Sequence, residues 1–316
     1  MASFDIPTSV WEQHHNRLRR LACHKQYTQG LVSWLLANGI RLPLIDRLHA
    51  CHTQLRFLYE PEEQHLRLHH TLSCHLPLLC PCCAMTRAAH ACDAYQTRVQ
   101  QLCAAQPGLI LSYAVLTIQN QADLQERFEH LQHHARLLIA RRHAAASSRR
   151  GHRQFQYAQR SCFASVVAGA YSFEVKRGAN SGLWHPHLNL LLLSPQPIPP
   201  AHLTAEWHTL TQDSSVTYCQ PRPSDPGTFV EIFKYALKFS DLSYADTWHV
   251  YQTLAGRKLL GSFGAFRGLP RPSQRESPSL PSPTSPELIY QYTNGTYHLN
   301  AVSSSSTSSL CYHVAP

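Results

Sequence analysis

Two short segments of this chain carry side chains whose chemistry suits the cleavage of a phosphodiester bond. One holds two histidines, His185 and His187, directly before a run of leucines. The other holds Glu231, Tyr235 and Lys238. Imidazole nitrogens bind divalent cations, a phenolate can act as a nucleophile, and a carboxylate can act as a general base. The sequence therefore predicts a metal site, a nucleophile and a base, provided that the fold brings the two segments together.

The histidine pair lies in a segment that reads as a strand. Residues two apart on a strand share a face, so His185 and His187 project together, with Asn189 next in line. Leu188, Leu190 and Leu192 take the opposite face, toward the core. The pair could bind one divalent ion that polarises a phosphate. The alternative is two ordinary surface histidines, since the chain has 22 of them.

The second segment reads as a helix. Glu231 and Tyr235 are four apart and Lys238 is three further on, so the three share one helix face. A free tyrosine has a pKa of about 10. A nearby cation, with Lys234 or Lys238, would favour the phenolate, and Glu231 could activate water at the same phosphate. The alternative is a packed tyrosine beside a solvated Glu–Lys face.

A cluster of cysteines predicts a second, structural metal site. Cys74, Cys80 and Cys83 have spacings suited to a tetrahedral zinc ion, and Cys82 could replace either neighbour. The sequence leaves the fourth ligand open among Cys51, His69, His70, His90 and Cys92. Clustering within an odd total of eleven cysteines argues against a disulfide framework. Buried free thiols are the alternative.

The elements around these motifs predict an α+β fold. Residues 1–105 read as a helical N-terminal region with the cysteine cluster, 106–269 as the domain with the candidate catalytic groups, and 270–316 as a Pro- and Ser-rich, largely disordered tail. Within the middle domain we predict strands at 109–118, 169–177 and 184–193, the last two paired antiparallel, and helices at 123–143, 204–211 and 229–239.

Charge and composition limit the partners. The 316 residues carry a formal net charge of +9, which suits a polyanion, either nucleic acid or an acidic membrane surface. No apolar run reaches the length of a membrane span, and the N-terminus lacks a secretory pattern. We therefore expect a cytoplasmic protein with no membrane partner.

Taken in order, the motifs resemble those of the initiator (Rep) proteins of small rolling-circle plasmids, which belong to the HUH endonuclease superfamily. The resemblance runs from about Cys74 to Gly268 and includes the cysteine segment, Leu116–Ile118, the Trp184–His187 metal motif and Gly261–Gly264. The Glu231-x-x-x-Tyr235 helix is similar to that of the single-tyrosine subgroup.

The resemblance implies a fold, an activity and partners. The fold is an HUH-type antiparallel sheet flanked by helices. Tyr235 is implied as the nicking nucleophile, Glu231 as the group that activates water at termination, and His185 and His187 as ligands of Mg²⁺ or Mn²⁺. Many relatives have a third histidine where this chain has Asn189, so Glu174 is our candidate third ligand. Plasmid origin DNA, double- and single-stranded, and a host helicase are the implied partners, with a homodimer at the origin as a further expectation.

Two other functions remain open at this point. One is a single-strand transposase or a relaxase of the same superfamily. The other is a non-catalytic zinc protein that binds DNA and regulates its own gene. It would bind DNA without cutting it when manganese or magnesium is supplied.

Overall fold

The structure, a computed structural model, describes residues 6–146, 160–178, 181–214, 216–233, 239–268 and 285–304. The described residues form an α+β fold with two antiparallel sheets and seven α-helices. The helices are α1 (Thr8–Ala37), α2 (Leu44–Ala50), α3 (Pro81–Ala105), α4 (Leu124–Ala146), α5 (Pro200–Thr211), α6 (Pro226–Phe233) and α7 (Tyr244–Leu254). The strands are β1 (Gln54–Glu60), β2 (His65–Thr71), β3 (Ile110–Thr117), β4 (Ala168–Arg177), β5 (Trp184–Ser194), β6 (Thr217–Pro221), β7 (Leu260–Gly264), β8 (Pro286–Thr293) and β9 (Thr296–Ser304).

The chain divides into two compact units. The first unit joins Met1–Cys83 with Ser273–Pro316, and the second unit is Ala84–Pro272. Across the described ranges, no helix is both long enough and apolar enough to span a bilayer.

The first unit contains a four-stranded sheet in the order β2-β1-β8-β9, with neighbouring strands antiparallel. Helix α1 packs on one face of it, where the ring of His14 meets the rings of Phe57 and Tyr290 at 4.6 and 5.2 Å between centroids. We predicted a helical region over 1–105, and this expectation missed β1 and β2. An apolar or aromatic residue occupies every second position of β1, which is the period of a strand with one buried face.

The prediction of a largely disordered tail over 270–316 is wrong for residues 286–304. These residues form the hairpin β8–β9, and β8 pairs with β1. Asn294 and Gly295 make the turn with positive φ angles of 51° and 84°, as a two-residue hairpin turn requires. A tyrosine or an aliphatic residue occupies every second position of β8 before the turn, and these positions are buried. This local pattern indicates a strand, although the average composition of the segment is rich in Pro and Ser. The rest of the predicted tail lies outside the described residues.

The second unit contains a five-stranded antiparallel sheet in the order β6-β3-β5-β4-β7. The predicted strands at 109–118, 169–177 and 184–193 correspond to β3, β4 and β5, and the antiparallel pairing of the last two is confirmed. The predicted helix at 123–143 corresponds to α4. The unit starts at Ala84 and not at the predicted residue 106, because α3 continues from the cysteine segment into it.

Strand β5 is covered on both faces. Helix α4 packs on the face that holds Leu188, Leu190 and Leu192, and Phe128 meets Phe173 there at 5.2 Å. The other face holds Leu191 and Leu193 beside side chains of α3 and α6. These buried neighbours are Ala91, Cys92, Tyr95, Val99, Phe229, Ile232 and Phe233. Two-sided burial explains why the strand reads as a nearly continuous apolar run.

Candidate functional site

The two histidines of β5 lie on one face of the sheet, as the strand period predicted. Their ring centroids are 5.5 Å apart. In the register with β4, His187 pairs with Glu174 and His185 with Lys176. His187 and Glu174 are each only 5% exposed, so this imidazole and this carboxylate are almost completely shielded from water.

Glu174 is held by three neighbours. Its Oε2 accepts hydrogen bonds from His187 Nε2 at 2.9 Å and from Asn189 Nδ2 at 3.2 Å, and its Oε1 lies 3.0 Å from Lys176 Nζ. Burial alone would raise the pKa of Glu174, but the hydrogen bond and charge of His187, with Lys176, outweigh it and lower the pKa to about 2. Glu174 is therefore ionised at neutral pH and holds the His187 ring in a fixed orientation.

Each histidine has one ring nitrogen held as a donor. His185 Nδ1 is 2.5 Å from the amide oxygen of Asn120, which can only accept, so His185 carries its proton on Nδ1 and a lone pair on Nε2. Burial, then the charges of His187 and Lys176, lower the pKa of His185 below its usual value. His187 Nδ1 is buried and has no hydrogen-bond partner among the described residues. Imidazole nitrogens bind divalent cations, and these two rings share one face of the sheet.

Glu174 is not placed as a third ligand beside the two rings. Within the described ranges, the only group of three or more potential ligands whose atoms lie within 4.8 Å of one another is a set of four cysteines. The bonds that Glu174 makes to His187, Asn189 and Lys176 use both of its oxygens. A carboxylate often orients the ring of a histidine that binds a metal, and the contacts of Glu174 would suit that role if His187 bound one.

Helix α6 carries the start of the Glu-Tyr-Lys segment to this same sheet face. Phe229, Ile232 and Phe233 are buried against it, and Phe233 stacks on Tyr95 at 4.7 Å. The hydroxyl of Ser172 donates a short hydrogen bond to the Ile232 carbonyl. The predicted helix at 229–239 corresponds to α6 as far as Phe233. Tyr235 and Lys238, like Lys234 and the side chain of Glu231, lie outside the described residues.

The fold brings four cysteine thiols together. The sulfur atoms of Cys51, Cys74, Cys80 and Cys83 all lie within 4.8 Å of one another, and three of the pairs are 3.5 to 3.7 Å apart. Tetrahedral zinc with bonds of about 2.3 Å places its sulfur ligands roughly 3.8 Å apart. The four cysteines could therefore hold zinc, with Cys51 as the fourth ligand that the sequence left open.

The other candidate zinc ligands lie apart from this set. Cys82 is not a member, although its thiol hydrogen-bonds to Cys80. Cys92 packs in the apolar core of the second unit. His69, His70 and His90 are likewise not part of the group. Cys80 directly precedes α3, and a helix N-terminus favours a thiolate there. Hydrogen bonds from Cys51 and Cys74 lower the pKa of Cys80 and so favour the thiolate further.

A buried lysine that we did not predict adjoins the four thiols. Lys25 is 1% exposed, and its ammonium donates to the carbonyls of His49 at 2.5 Å and Cys51 at 2.6 Å, and to Thr53 Oγ1 at 3.2 Å. Burial lowers the pKa of Lys25, while the charges of neighbouring cysteines, Cys51 first, oppose that shift. Four thiolates around Zn²⁺ carry a net charge of −2, which a buried ammonium partly offsets. The helix period of α1 places this lysine on the buried face, in line with Leu18, Leu21 and Thr28. A single cation on that face was the sequence pattern from which its burial could have been predicted.

Lys25→Met is expected to weaken zinc binding by about 10- to 100-fold, as is usual when a group that supports metal ligands is removed. The change retains most of the aliphatic stem but removes the charge and the bonds that fix the Cys51 loop. Competition with a chromophoric chelator measures the affinity. Arg19→Met, at an exposed position of the same helix, is the matched control. Equal affinities for the two variants would contradict a role for Lys25.

Comparisons with known proteins add no relative. No protein-family model matches this chain, and neither a curated protein nor a solved structure is similar enough to count as a match.

Proposed function

We propose that this chain is a metal-dependent DNA strand transferase that nicks a plasmid origin and starts rolling-circle replication. The observation that carries the proposal is the bond between Ser172 and Ile232. It fixes helix α6 on the face that holds His187 and Glu174. Ser172 pairs with Asn189 in the sheet, one step along the face from the Glu174–His187 pair.

Chain connectivity supports Tyr235 as the nucleophile. Tyr235 is three residues after Ile232, and three residues span at most about 11 Å. This bound applies to the backbone of Tyr235. The reason for preferring Tyr235 over the other tyrosines of the second unit is the resemblance of the Glu231-x-x-x-Tyr235 segment to the single-tyrosine subgroup.

The proposed reaction is a transesterification. The Tyr235 phenol loses its proton to solvent and its oxygen bonds to the phosphorus at the nick site. The bond from phosphorus to the 3′-oxygen breaks, and the departing 3′-oxygen takes up a proton to become the 3′-hydroxyl. The protein remains linked to the 5′ end while the 3′-hydroxyl primes synthesis. Mg²⁺ or Mn²⁺ held by His185 and His187 would polarise the phosphate. Lys238 would favour the phenolate, and Glu231 would activate water at termination.

The partners follow from this reaction. Origin DNA is the substrate, first as a duplex and then as a single strand, and a host helicase would open the duplex ahead of the primer. The net charge of +9 supports a polyanion as substrate. We assign the first unit, with its four cysteines, to DNA binding and to a homodimer at the origin.

Incubation with a supercoiled plasmid that carries the native origin tests the proposal. With Mn²⁺ or Mg²⁺ present, the plasmid should become open circular and carry the protein on a 5′ end. The same plasmid without the origin should stay supercoiled, and EDTA should prevent nicking. Nicking of both plasmids to the same extent, or release of DNA with no attached protein, would contradict the proposal.

A second candidate function has one observation in its favour. The four cysteines are already at the spacing of a metal site, whereas His185, His187 and Glu174 are not. This difference favours a zinc protein that binds DNA without cutting it. For such a protein, the plasmid assay above should give a plasmid that is bound but remains supercoiled. A transposase or relaxase of the same superfamily would cut transposon ends or a transfer origin instead.

A further inference from the structure

The two edges of the four-stranded sheet in the first unit differ in their side chains. Strand β2 forms one edge and carries three histidines and Arg67, whose guanidinium forms an ion pair with Glu60 at 2.8 Å. Strand β9 forms the other edge, and its nine residues include no proline and no Asp, Glu, Lys or Arg. Charged side chains and prolines on an edge strand oppose its pairing with another chain. The edge at β9 lacks both of these protections.

Two apolar side chains of β9 are exposed on the same face of this sheet. The register with β8 leaves Asn300 as an extra residue, and regular pairing continues on either side of this bulge. A bulge can turn an edge away from partners, but here it also points Leu299 and Val302 to one face, opposite Tyr290 and Leu288. Tyr290 and Leu288 are buried there, whereas Leu299 and Val302 are 48% and 57% exposed. The apolar layer on this face therefore extends to the edge, where the described part of the chain leaves it uncovered.

The charge of the chain is divided unequally between the two units. The first unit contains nine Lys and Arg residues and eight Asp and Glu residues, whereas the second unit contains nineteen and eleven. Two copies of the first unit therefore repel each other little, and a net charge near zero favours association. The β9 edge itself offers no cation to a polyanion, so a strand of another protein molecule suits it better than a nucleic acid does.

We propose that β9 is a dimerisation edge, which pairs antiparallel with β9 of a second copy of this chain. The second strand satisfies the outward N–H and C=O groups of the first. A twofold axis perpendicular to the sheet brings the same strand of both copies together and places Leu299 and Val302 of both on one face, where they lose contact with water. The assembly of this dimer at an origin rests on the proposed function, whereas its formation in solution does not.

Sedimentation equilibrium of the full chain tests the proposal. The wild-type protein should show a reversible monomer–dimer equilibrium in the micromolar range. Val302→Lys and Leu299→Lys should each raise the Kd of the dimer about 100-fold or more, because twofold symmetry places the new cation on both sides of the shared edge. Val216→Lys is the matched control, since Val216 is 67% exposed in the second unit, and it should leave the Kd unchanged. All three variants should unfold near the wild-type temperature, because the substituted side chains are exposed.

Amide hydrogen exchange distinguishes the pairing of strands from a contact of side chains alone. In an antiparallel sheet, some N–H groups of an edge strand donate to the neighbouring strand and the others point outward. The outward N–H groups of β9 should exchange slowly in concentrated wild-type protein. They should exchange rapidly after dilution below the Kd, and also in Val302→Lys. The N–H groups that donate to β8 should remain protected in every sample, since the β8–β9 hairpin is retained.

The outcomes separate this inference from the proposed function. A chain that stays monomeric throughout the micromolar range overturns the inference, and slow exchange of the outward N–H groups in that monomer would show that another segment of the same chain covers the edge. A dimer that both lysine variants leave intact overturns it as well, because another surface then joins the copies. Rapid exchange of the outward N–H groups in the dimer excludes strand pairing. A dimer that depends on β9, in a protein that never nicks origin DNA, supports the inference and overturns the proposed function.

Discussion

Tyr235→Phe is expected to abolish the covalent protein–DNA adduct and to lower origin nicking by a factor on the order of a thousand or more, since it removes the nucleophile itself. Binding to origin DNA should stay within about twofold, because the substitution removes one oxygen atom and retains the ring. Denaturing gels of labelled origin DNA measure the adduct, and mobility shifts measure binding.

A matched tyrosine makes this result interpretable. Tyr244→Phe removes a phenolic oxygen at the start of α7, a helix that contacts α4, and should leave nicking unchanged. If Tyr235→Phe instead nicks at the wild-type rate, the nucleophile is another group and the proposed transesterification is wrong.

Cys51→Ser is expected to remove most of the bound zinc and to unfold the first unit. Zinc bound by four side chains contributes roughly 10–16 kcal/mol to the folding free energy of small zinc domains, and the loss of one thiolate removes a large part of that contribution. Zinc content per chain after dialysis measures the first effect. Circular dichroism during heating measures the second.

Two other cysteines serve as controls for this prediction. Cys82→Ser tests the alternative ligand that the sequence allowed, and Cys23→Ser changes an exposed thiol on α1. Both proteins should keep one zinc ion per chain. Loss of zinc from Cys82→Ser with retention by Cys51→Ser would reverse the ligand assignment. Retention in all three would mean that the four thiols do not hold the ion.

The face shared by the histidines was predictable because it depends only on local periodicity. The strand period placed His185 and His187 together, and the turn between 177 and 184 predicted the pairing of β4 with β5. The hydrogen bond from the Tyr113 hydroxyl to Asn189 Oδ1, at 2.9 Å, was not predictable. It depends on the register between β3 and β5, which sequence patterns do not specify for strands covered on both faces.

The fourth cysteine was missed for a related reason. Cys51 precedes β1 and Cys74 follows β2, so pairing of these strands brings the two thiols together, as the bond from His52 N to Leu72 O at 2.8 Å shows. Without the hairpin, Cys51 was one candidate among five. The strands were overlooked because long helical patterns on either side dominated the reading of residues 1–105.

The pairing of β1 with β8 has a consequence for biosynthesis. These strands are neighbours in one sheet, yet the whole second unit is encoded between them. At roughly 5–20 residues per second, a ribosome completes β8 on the order of ten seconds or more after β1. During that interval the nascent β1 has one edge without its final partner, which is the kind of edge that pairs wrongly with other chains. Productive folding of the first unit must therefore wait until β8 has been synthesised, and a chaperone that shields β1 until then should raise the yield.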